Sequence, residues 1–360
     1  MISKVRKGIL DLSPYVPGKG IEELKRENGL EKVIKIASNE NPLGCSKKVI
    51  KALREFDNLS GYPDGNAYDL RKKLSEMYKI DVDKFIFGDG TDEVIAMLFS
   101  TFIEKGDEAI FADPSFAEYE RYAKISGATP IKIPLDNEYK HDLKAMKEAI
   151  TSKTKIIIIC NPNNPTGTLI NKKEMDAFLE EVPNDVIVAI DEAYFEYAAI
   201  FSEYPDSMDY QNKYKNVVTL RTFSKAYGLA GLRVGFGVAD KEIIGFMERI
   251  RLPFNVTVPS LVGAIASLDD MEHVKKTVEL NEEGKKYLYD ELDKLNFKYV
   301  KTYANYIYIN MEESGKKVFE EFLKKGVIIR AMKGNFVRVS IGTMEESKLF
   351  IEKLKEWGNK

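Results

Sequence analysis

The chain has 360 residues, a length that predicts one large domain and one smaller domain. Its 54 basic and 57 acidic residues give a net charge of −3, which argues against a nucleic-acid partner and favours small-molecule partners. Cys45 and Cys160 lack metal-ligand spacing and indicate reduced thiols in the cytoplasm. The N-terminal segment has no apolar core of signal-peptide length, and the run IIIIC at 156–160 is too short to span a bilayer.

Short apolar runs alternate with amphipathic stretches from about residue 85 to 245. Strands are predicted at KFIF, DEAIFA, TPIKI, KIIIIC, DVIVAI, NVVTL and RVGFGVA, and helical patterns lie between them, as in TDEVIAMLFSTFI. This alternation predicts the α/β class, with a mostly parallel, doubly wound sheet covered by helices on both faces. Ligands of such sheets bind at the carboxyl ends of the strands, so the residues that follow each strand are the candidate site.

The pattern changes after about residue 250. A long helical stretch, SLVGAIASLDDMEHVKKTVELNEEGKKYLYDELDKL, precedes YANYIYIN, GKKVFEEFLKKG, VIIR, FVRVSIG and EESKLFIEKLKEW, which together predict a smaller α+β domain. We therefore predict an N-terminal segment, 1–45, that joins the small domain, a large domain at 46–250 and a small C-terminal domain at 251–360.

The motif GDGTDE follows the first predicted strand. Its glycines allow close backbone approach, and Thr91 opens a helix whose free amides can hold a phosphate. Ordinary capping is the alternative, because Asp92 and Glu93 suit a first helical turn with or without an anion. The sixth-position glycine of a dinucleotide fingerprint is absent, and no GxxxxGK[ST] loop occurs.

Three further motifs follow predicted strands. NPNNPTGT is a tight polar turn that presents Asn164, and DEAYFEY places Tyr194 three residues after Asp191, which could also be a helix cap. TFSKAYGLAGLR sets Lys225 among small and apolar residues, with Arg233 eight residues on. A solvated surface lysine is the alternative interpretation of Lys225.

The order of these motifs resembles that of the fold type I pyridoxal-phosphate-dependent aminotransferases. Within this class, the chain is similar to the histidinol-phosphate aminotransferase family over roughly residues 11 to 345. The motifs that carry the resemblance are SPYVPGK, ASNENPLG, YPDG, GDGTDEV, NPNNPTGT, DEAYFEY, RTFSKAYGLAGLR and VRVSIGT. The resemblance implies a cytoplasmic aminotransferase of histidine biosynthesis that uses pyridoxal 5′-phosphate to exchange an amino group between histidinol phosphate and 2-oxoglutarate.

The resemblance assigns catalysis to three residues. Lys225 bonds covalently to the cofactor aldehyde and, once freed, carries a proton between the substrate Cα and the cofactor C4′. Compact apolar surroundings suit this role, because desolvation disfavours the ammonium form. Asp191 pairs with the pyridine nitrogen, and Tyr194, like Asn164, matches a residue that hydrogen-bonds the ring oxygen.

The remaining cofactor contacts are also implied by the resemblance. Phe116 in DPSFAEY matches the aromatic residue that stacks on the ring, although a core phenylalanine is the alternative. The phosphate would lie on the amides of Thr91 and Asp92, and its side-chain donors would be Thr222, Ser224 and Arg233. Tyr62 in GYPDG matches a tyrosine that reaches the phosphate in the neighbouring subunit, which implies a homodimer with shared sites.

Substrate recognition is implied for three residues. Arg338 matches the arginine that grips an α-carboxylate with two parallel hydrogen bonds, and Arg330 with Tyr15 matches the pair that holds the phosphate of histidinol phosphate. A surface charge is the alternative for Arg330, and packing against Pro17 is the alternative for Tyr15.

Other functions remain open at this stage. An aromatic or broad-specificity aminotransferase and a threonine-phosphate decarboxylase would keep the same cofactor residues. Only seven residues separate Arg330 from Arg338, and Phe254 stands where a tyrosine is common. Both features leave the identity of the substrate open. A non-catalytic binding module conflicts with the intact Lys225, Asp191 and Arg233, and a nicotinamide dehydrogenase would need a glycine fingerprint that the chain lacks. We assign no chemistry to the two histidines of the chain.

Overall fold

The computed structural model describes residues 4–10, 12–14 and 18–358. Its strands are β1 (Ile34–Lys35), β2 (Phe85–Gly88), β3 (Glu108–Asp113), β4 (Thr129–Pro134), β5 (Thr154–Cys160), β6 (Ile187–Asp191), β7 (Val217–Thr222), β8 (Gly235–Val238), β9 (Lys298–Val300), β10 (Tyr306–Asn310), β11 (Val327–Ile328), β12 (Arg330–Ala331) and β13 (Phe336–Ser340). Its helices are α1 (Lys7–Leu10), α2 (Ile21–Asn28), α3 (Lys47–Glu55), α4 (Tyr68–Tyr78), α5 (Gly90–Phe102), α6 (Glu118–Ser126), α7 (Leu143–Glu148), α8 (Lys172–Glu181), α9 (Phe195–Ala198), α10 (Lys241–Glu248), α11 (Val258–Leu268), α12 (Met271–Lys294), α13 (Gly315–Lys324) and α14 (Met344–Gly358).

The large sheet has seven strands in the order β2-β8-β7-β6-β5-β3-β4. Strands β3 to β7 pair in parallel, and β8 runs antiparallel to both of its neighbours. Alternate side chains of β5 enter two separate cores: Ile156 and Ile158 pack in one, and Ile157 and Ile159 pack in the other. Both faces of the sheet are therefore covered, which confirms the predicted α/β class.

A second sheet, β12-β13-β10-β9, is antiparallel and shares a core with α12, α13 and α14. The N-terminal strand β1 pairs in parallel with β11, where Ile34 lies opposite Val327. This pairing attaches an early segment of the chain to the C-terminal α+β unit. The numbered domain boundaries themselves stay a prediction.

The long helical stretch predicted from Ser260 onward is divided in the structure. Asp269 and Asp270 separate α11 from α12, and Asp270 has φ −130° and ψ 55°, outside the helical region. Helix α11 packs against α3 and α4, and its Leu261 and Ala264 share a core with Val49. Across the described ranges, no helix has the length and hydropathy needed to cross a membrane.

Candidate active site

A cavity of about 390 Å³ opens at the carboxyl ends of the parallel strands, a size that suits a small ligand. Twelve of the residues singled out from the sequence line it, namely Thr91, Asp92, Phe116, Asn164, Asp191, Tyr194, Thr222, Ser224, Lys225, Arg233, Arg330 and Arg338. Parallel pairing explains the convergence, because the turns after β5, β6 and β7 leave the same edge of the sheet.

Lys225 lies in the turn that follows β7 and is half-buried. Its Nζ donates a hydrogen bond to the Ser38 carbonyl at 3.1 Å. Burial and, to a lesser extent, the nearby Arg338 guanidinium lower the pKa of this amine to about 8. The turn is tight because Gly228 adopts φ +73° and donates its amide to the Lys225 carbonyl at 2.9 Å. Because its pKa is lowered, the Lys225 amine holds its proton more weakly than the amine of an exposed lysine would.

Asp191 ends β6 and is only 4% exposed. Its Oδ2 accepts a hydrogen bond from the Tyr119 hydroxyl at 2.6 Å, and its Oδ1 accepts one from the Ala193 amide at 3.1 Å. Burial raises the pKa of this carboxyl to about 6, although both hydrogen bonds oppose that shift by favouring the anion. Each carboxylate oxygen has a second lone pair, so Asp191 can still accept a bond from a ligand.

Asn164 and Arg338 join the two sheets at the cavity. Arg338, on β13, donates through Nη1 to the Asn164 Oδ1 at 2.6 Å and through Nη2 to the Ala37 carbonyl at 2.7 Å. Tyr194 lies beside them, and its hydroxyl accepts a bond from the Asn39 amide at 2.9 Å. Burial raises the pKa of the Tyr194 phenol above its usual range, so the hydroxyl keeps its proton and can donate to a ligand.

The first turn of α5 and the Arg233 guanidinium line one end of the cavity. Gly90 begins the helix with φ +72°, and a Cβ at this position would lie 2.5 Å from the Arg233 Nη2. Arg233 contacts the Asp92 carboxylate at 3.3 Å and the Asp89 carbonyl at 3.2 Å. The free amides of a helix N-terminus beside a guanidinium provide donors for an anion.

Two hydroxyl groups and one aromatic ring complete the wall of the cavity. The Thr222 hydroxyl donates to the Ser224 hydroxyl at 2.9 Å and accepts the Ser224 amide at 3.1 Å, so two hydroxyls lie together after β7. Phe116 is half-buried and meets Tyr119 edge-on at 5.5 Å between ring centroids. Phe116 therefore packs on the core and also lines the cavity.

The two residues predicted to bind the substrate phosphate, Arg330 and Tyr15, and the predicted cofactor contact Tyr62 have different outcomes. Arg330 lines the cavity and lies directly opposite Arg338 in the antiparallel register of β12 and β13. Tyr62 is 83% exposed, does not line this cavity, and stacks on Phe254 at 4.6 Å between ring centroids. Tyr15 lies outside the described residues.

Several contacts were missed by sequence reasoning. Tyr119, Asn39 and the Ser38 carbonyl bond to the predicted residues from distant parts of the chain, and Cys160 lines the cavity at the end of β5. The motif ASNENPLG contains Ser38 and Asn39, but no periodicity links it to β6 or β7. Among the described residues, no group of three or more His, Cys, Asp or Glu could hold a metal ion.

Comparison with known proteins gives consistent matches. Residues 31–354 match the family model for aminotransferase class I and II. The histidinol-phosphate aminotransferase of Moorella thermoacetica is 47% identical over 99% of this chain and 93% of that protein. Among solved structures, the histidinol-phosphate aminotransferase from Clostridium acetobutylicum has a TM-score of 0.84 at 28% identity, covering 91% of this chain and 99% of that one.

A further solved structure supports the fold. The histidinol-phosphate aminotransferase from Sinorhizobium meliloti, in complex with pyridoxal-5′-phosphate, has a TM-score of 0.91 at 23% identity, covering 99% of this chain and 98% of that one. Together, these matches confirm the resemblance inferred from the motifs and the predicted fold class.

Proposed function

Because the chain belongs to the class I and II aminotransferase family, we propose that it exchanges an amino group between histidinol phosphate and 2-oxoglutarate in histidine biosynthesis. The observation that carries this proposal is the convergence of Lys225 and Asp191 with Arg330 and Arg338 in one cavity. Arg338 supplies a cation for the carboxylate of glutamate or 2-oxoglutarate, and Arg330 supplies one for the phosphate of histidinol phosphate. Both cysteines are free thiols, which is consistent with the proposed cytoplasmic location.

The cavity has the donors and acceptors that pyridoxal phosphate needs. The first amides of α5 and the Arg233 guanidinium suit the phosphate, and the glycine at position 90 leaves the space that a Cβ would fill. The Asp191 carboxylate suits a protonated ring nitrogen, and the Lys225 amine suits an aldehyde. When bound, this cofactor supplies a ring that takes up the electron pair left when the substrate Cα loses its proton.

The side chains around that ring have separate tasks in the proposed reaction. Lys225 would hold the cofactor through its Nζ, and the same amine, when free, would accept the proton of the substrate Cα and return it to the substrate–cofactor pair. Asp191 would keep the ring nitrogen protonated, and Tyr194 and Asn164 would hydrogen-bond the ring oxygen. Arg338 would orient the α-carboxylate of glutamate, so its bond to Asn164 links the substrate end of the cavity to the cofactor end.

We assign the phosphate of histidinol phosphate to Arg330, together with Tyr15. Arg330 and Arg338 are cross-strand neighbours in register, so their side chains leave the same face of the small sheet. Arg338 can then bind the carboxylate of glutamate in one half of the reaction, and Arg330 can bind the phosphate of histidinol phosphate in the other half. This arrangement allows two unlike substrates to use one cavity in turn.

We further propose a homodimer with shared sites. Tyr62 and Phe254 stack on each other away from the cavity of their own chain, and Tyr62 is 83% exposed. The neighbouring Leu252 and Leu59 are 66% and 76% exposed. Large apolar side chains exposed together are typical of an interface between chains. In such a dimer, Tyr62 would complete the phosphate site of the partner.

A substrate panel tests the proposed function. Purified protein loaded with pyridoxal phosphate is given 2-oxoglutarate and either histidinol phosphate, phenylalanine or threonine phosphate, and glutamate and carbon dioxide are measured. We expect kcat/KM for histidinol phosphate to exceed that for phenylalanine by about tenfold or more, because a site with a cation for the phosphate discriminates against its absence. Lys225→Ala is the inactive control. Preference for phenylalanine, or carbon dioxide release from threonine phosphate, would reject the assignment.

A further inference from the structure

Tyr119 lies behind Asp191 without lining the cavity. It is on α6, is fully buried, and its hydroxyl donates to the Asp191 Oδ2 at 2.6 Å. Its ring also packs near Phe111 and Phe116, at 6.3 and 5.5 Å between centroids. A phenylalanine would satisfy this ring packing, so the hydroxyl requires a separate explanation.

The hydroxyl addresses a conflict at Asp191. Burial in the cavity wall disfavours the charged carboxylate, whereas a protonated ring nitrogen needs an anion beside it. A hydrogen bond from a neutral donor favours the anion without adding a charge. With the Ala193 amide on Oδ1 and Tyr119 on Oδ2, both oxygens are also held in one orientation.

The other titratable groups around Asp191 do not replace this donor. Two carboxylates, a thiol and two phenols approach it from α5, β5, the turn after β6 and β10. These groups are Asp92, Cys160, Glu192, Tyr194 and Tyr306. Asp92 and Glu192 raise the pKa of Asp191 by repulsion. Tyr119 is the side chain whose hydrogen bond lowers it.

We propose that Tyr119 is a positioning residue whose hydrogen bond holds Asp191 as an oriented anion, so that the shared proton stays on the ring nitrogen of the cofactor. This inference rests on the proposed function, because it requires a nitrogen-bearing ring in the cavity. Tyr119 acts through Asp191 and needs no contact with the substrate. Its effect should therefore reach the chemical step and leave substrate binding almost unchanged.

Tyr119→Phe tests the inference, since it keeps the ring and removes the hydroxyl. The cofactor-loaded variant is titrated from low to high pH, and the midpoint of the absorbance change of the bound cofactor is measured. We expect the midpoint to rise by about half a unit or more. When Asp191 holds more of the proton that it shares with the ring nitrogen, the cofactor ring carries less positive charge. The ring then withdraws less electron density from the Lys225 nitrogen bound to it, so that nitrogen keeps its proton to a higher pH. We also expect kcat to fall roughly tenfold, with KM for either substrate within about twofold.

Two further variants make the result specific. Site-specific 3-fluorotyrosine at position 119 is a stronger donor and should move the midpoint downward, which also covers the case in which Tyr119→Phe folds poorly. In an Asp191→Asn background, Tyr119→Phe should cause no further shift, because the coupling requires both groups. Tyr122→Phe, on the same helix, is the matched control and should leave the midpoint unchanged.

Failure of this inference is distinct from failure of the proposed function. If the wild-type protein binds pyridoxal phosphate and transaminates, but the midpoint is the same in Tyr119→Phe, the positioning role is overturned. An equal shift in Tyr122→Phe would also overturn it, because the effect would then belong to the helix. A wild-type protein that never develops the cofactor absorbance would instead overturn the proposed function and, with it, the role of Tyr119.

Discussion

Lys225 is where the local environment changes the chemistry of a residue most clearly. Its amine is half-buried and bonded to the Ser38 carbonyl, and desolvation lowers its pKa from 10.5 to about 8. A neutral amine is the form that attacks an aldehyde and accepts a proton. At neutral pH, a much larger share of Lys225 is in this form than for an exposed lysine.

This shift predicts the pH dependence of cofactor capture. The rate at which apoprotein bonds covalently to pyridoxal phosphate is measured against pH and divided by the rate for a free lysine analogue in the same buffers, which removes the titration of the cofactor itself. Because the folded pKa is lowered, the ratio should be constant below about 8 and fall above it. A ratio that stays constant up to the ordinary lysine pKa would contradict the shift.

Arg330 allows a second prediction for a single residue. Arg330→Ala should raise KM for histidinol phosphate more than tenfold, because one charge-assisted contact contributes about 1.5 to 3 kcal/mol. KM for glutamate should change less than about threefold, since Arg338 still binds its carboxylate. Lys333→Ala removes an exposed cation three residues away and is the matched control. Equal damage to both substrates would show that Arg330 does not select the phosphate.

The residues that sequence reasoning found and missed differ in one respect. Asn164, Asp191 and Lys225 lie at the end of a strand or within a few residues after one, so strand periodicity alone predicts the edge of the sheet at which they meet. Tyr119 bonds to Asp191 across 72 residues. The sequence pattern of α6 predicts that Tyr119 lies on a buried face of the helix. It does not predict which strand end that face contacts. Contacts of this kind depend on how a helix is docked, which local patterns do not encode.

At the scale of elements, the first turn of α5 lines one end of the cavity with Gly90, Thr91 and Asp92. The predicted helix begins at Gly90, one residue before Thr91, because the positive φ of this glycine lets the chain turn directly from β2 into the helix. The sequence did not predict the break between α11 and α12. No proline or glycine separates them, but Asp269 at the end of α11 forms an ion pair with Lys73 of α4, and its carbonyl accepts a hydrogen bond from Lys48 of α3.

Gly90→Ala tests this turn. The added Cβ would lie 2.5 Å from the Arg233 Nη2 in a backbone conformation that disfavours alanine. We expect the free energy of unfolding of the apoprotein to fall by about 1 to 3 kcal/mol and the dissociation constant for pyridoxal phosphate to rise. Gly106→Ala is the control, because Gly106 has φ +100° with nothing within 4 Å of its Cβ. An equal dissociation constant in the two variants would reject a role for Gly90 in anion binding.

At the scale of the whole molecule, the two sheets meet over the cavity. Arg338 on the small sheet bonds to Asn164 after β5 of the large sheet, and β1 pairs with β11 so that Ser38 and Asn39 reach Lys225 and Tyr194. The motifs predicted this site without showing how the sheets join. Sequence periodicity predicts individual helices and strands. The pairing of residues 30 to 40 with residues near 330 depends on long-range packing, which periodicity does not encode.

The proposed dimer is tested by complementation. Tyr62→Ala and Lys225→Ala should each be inactive or nearly so, because one lacks a partner contact to the phosphate and the other lacks the covalent residue. After the two are mixed and subunits exchange, hybrid dimers should contain one intact site in two and regain up to about half of the wild-type activity per dimer. Sedimentation provides the control for assembly. A monomer, or a dimer without recovery, would contradict shared sites.

Reductive trapping tests the central claim most directly. The protein is incubated with pyridoxal phosphate, reduced with borohydride, digested and mapped by mass spectrometry, with Lys225→Ala treated in parallel. The amine with a lowered pKa at the strand-end cavity predicts a single stoichiometric pyridoxyl adduct on the peptide that contains Lys225, and none on the variant. A stoichiometric adduct on another lysine, or no adduct in a folded protein, would contradict the account.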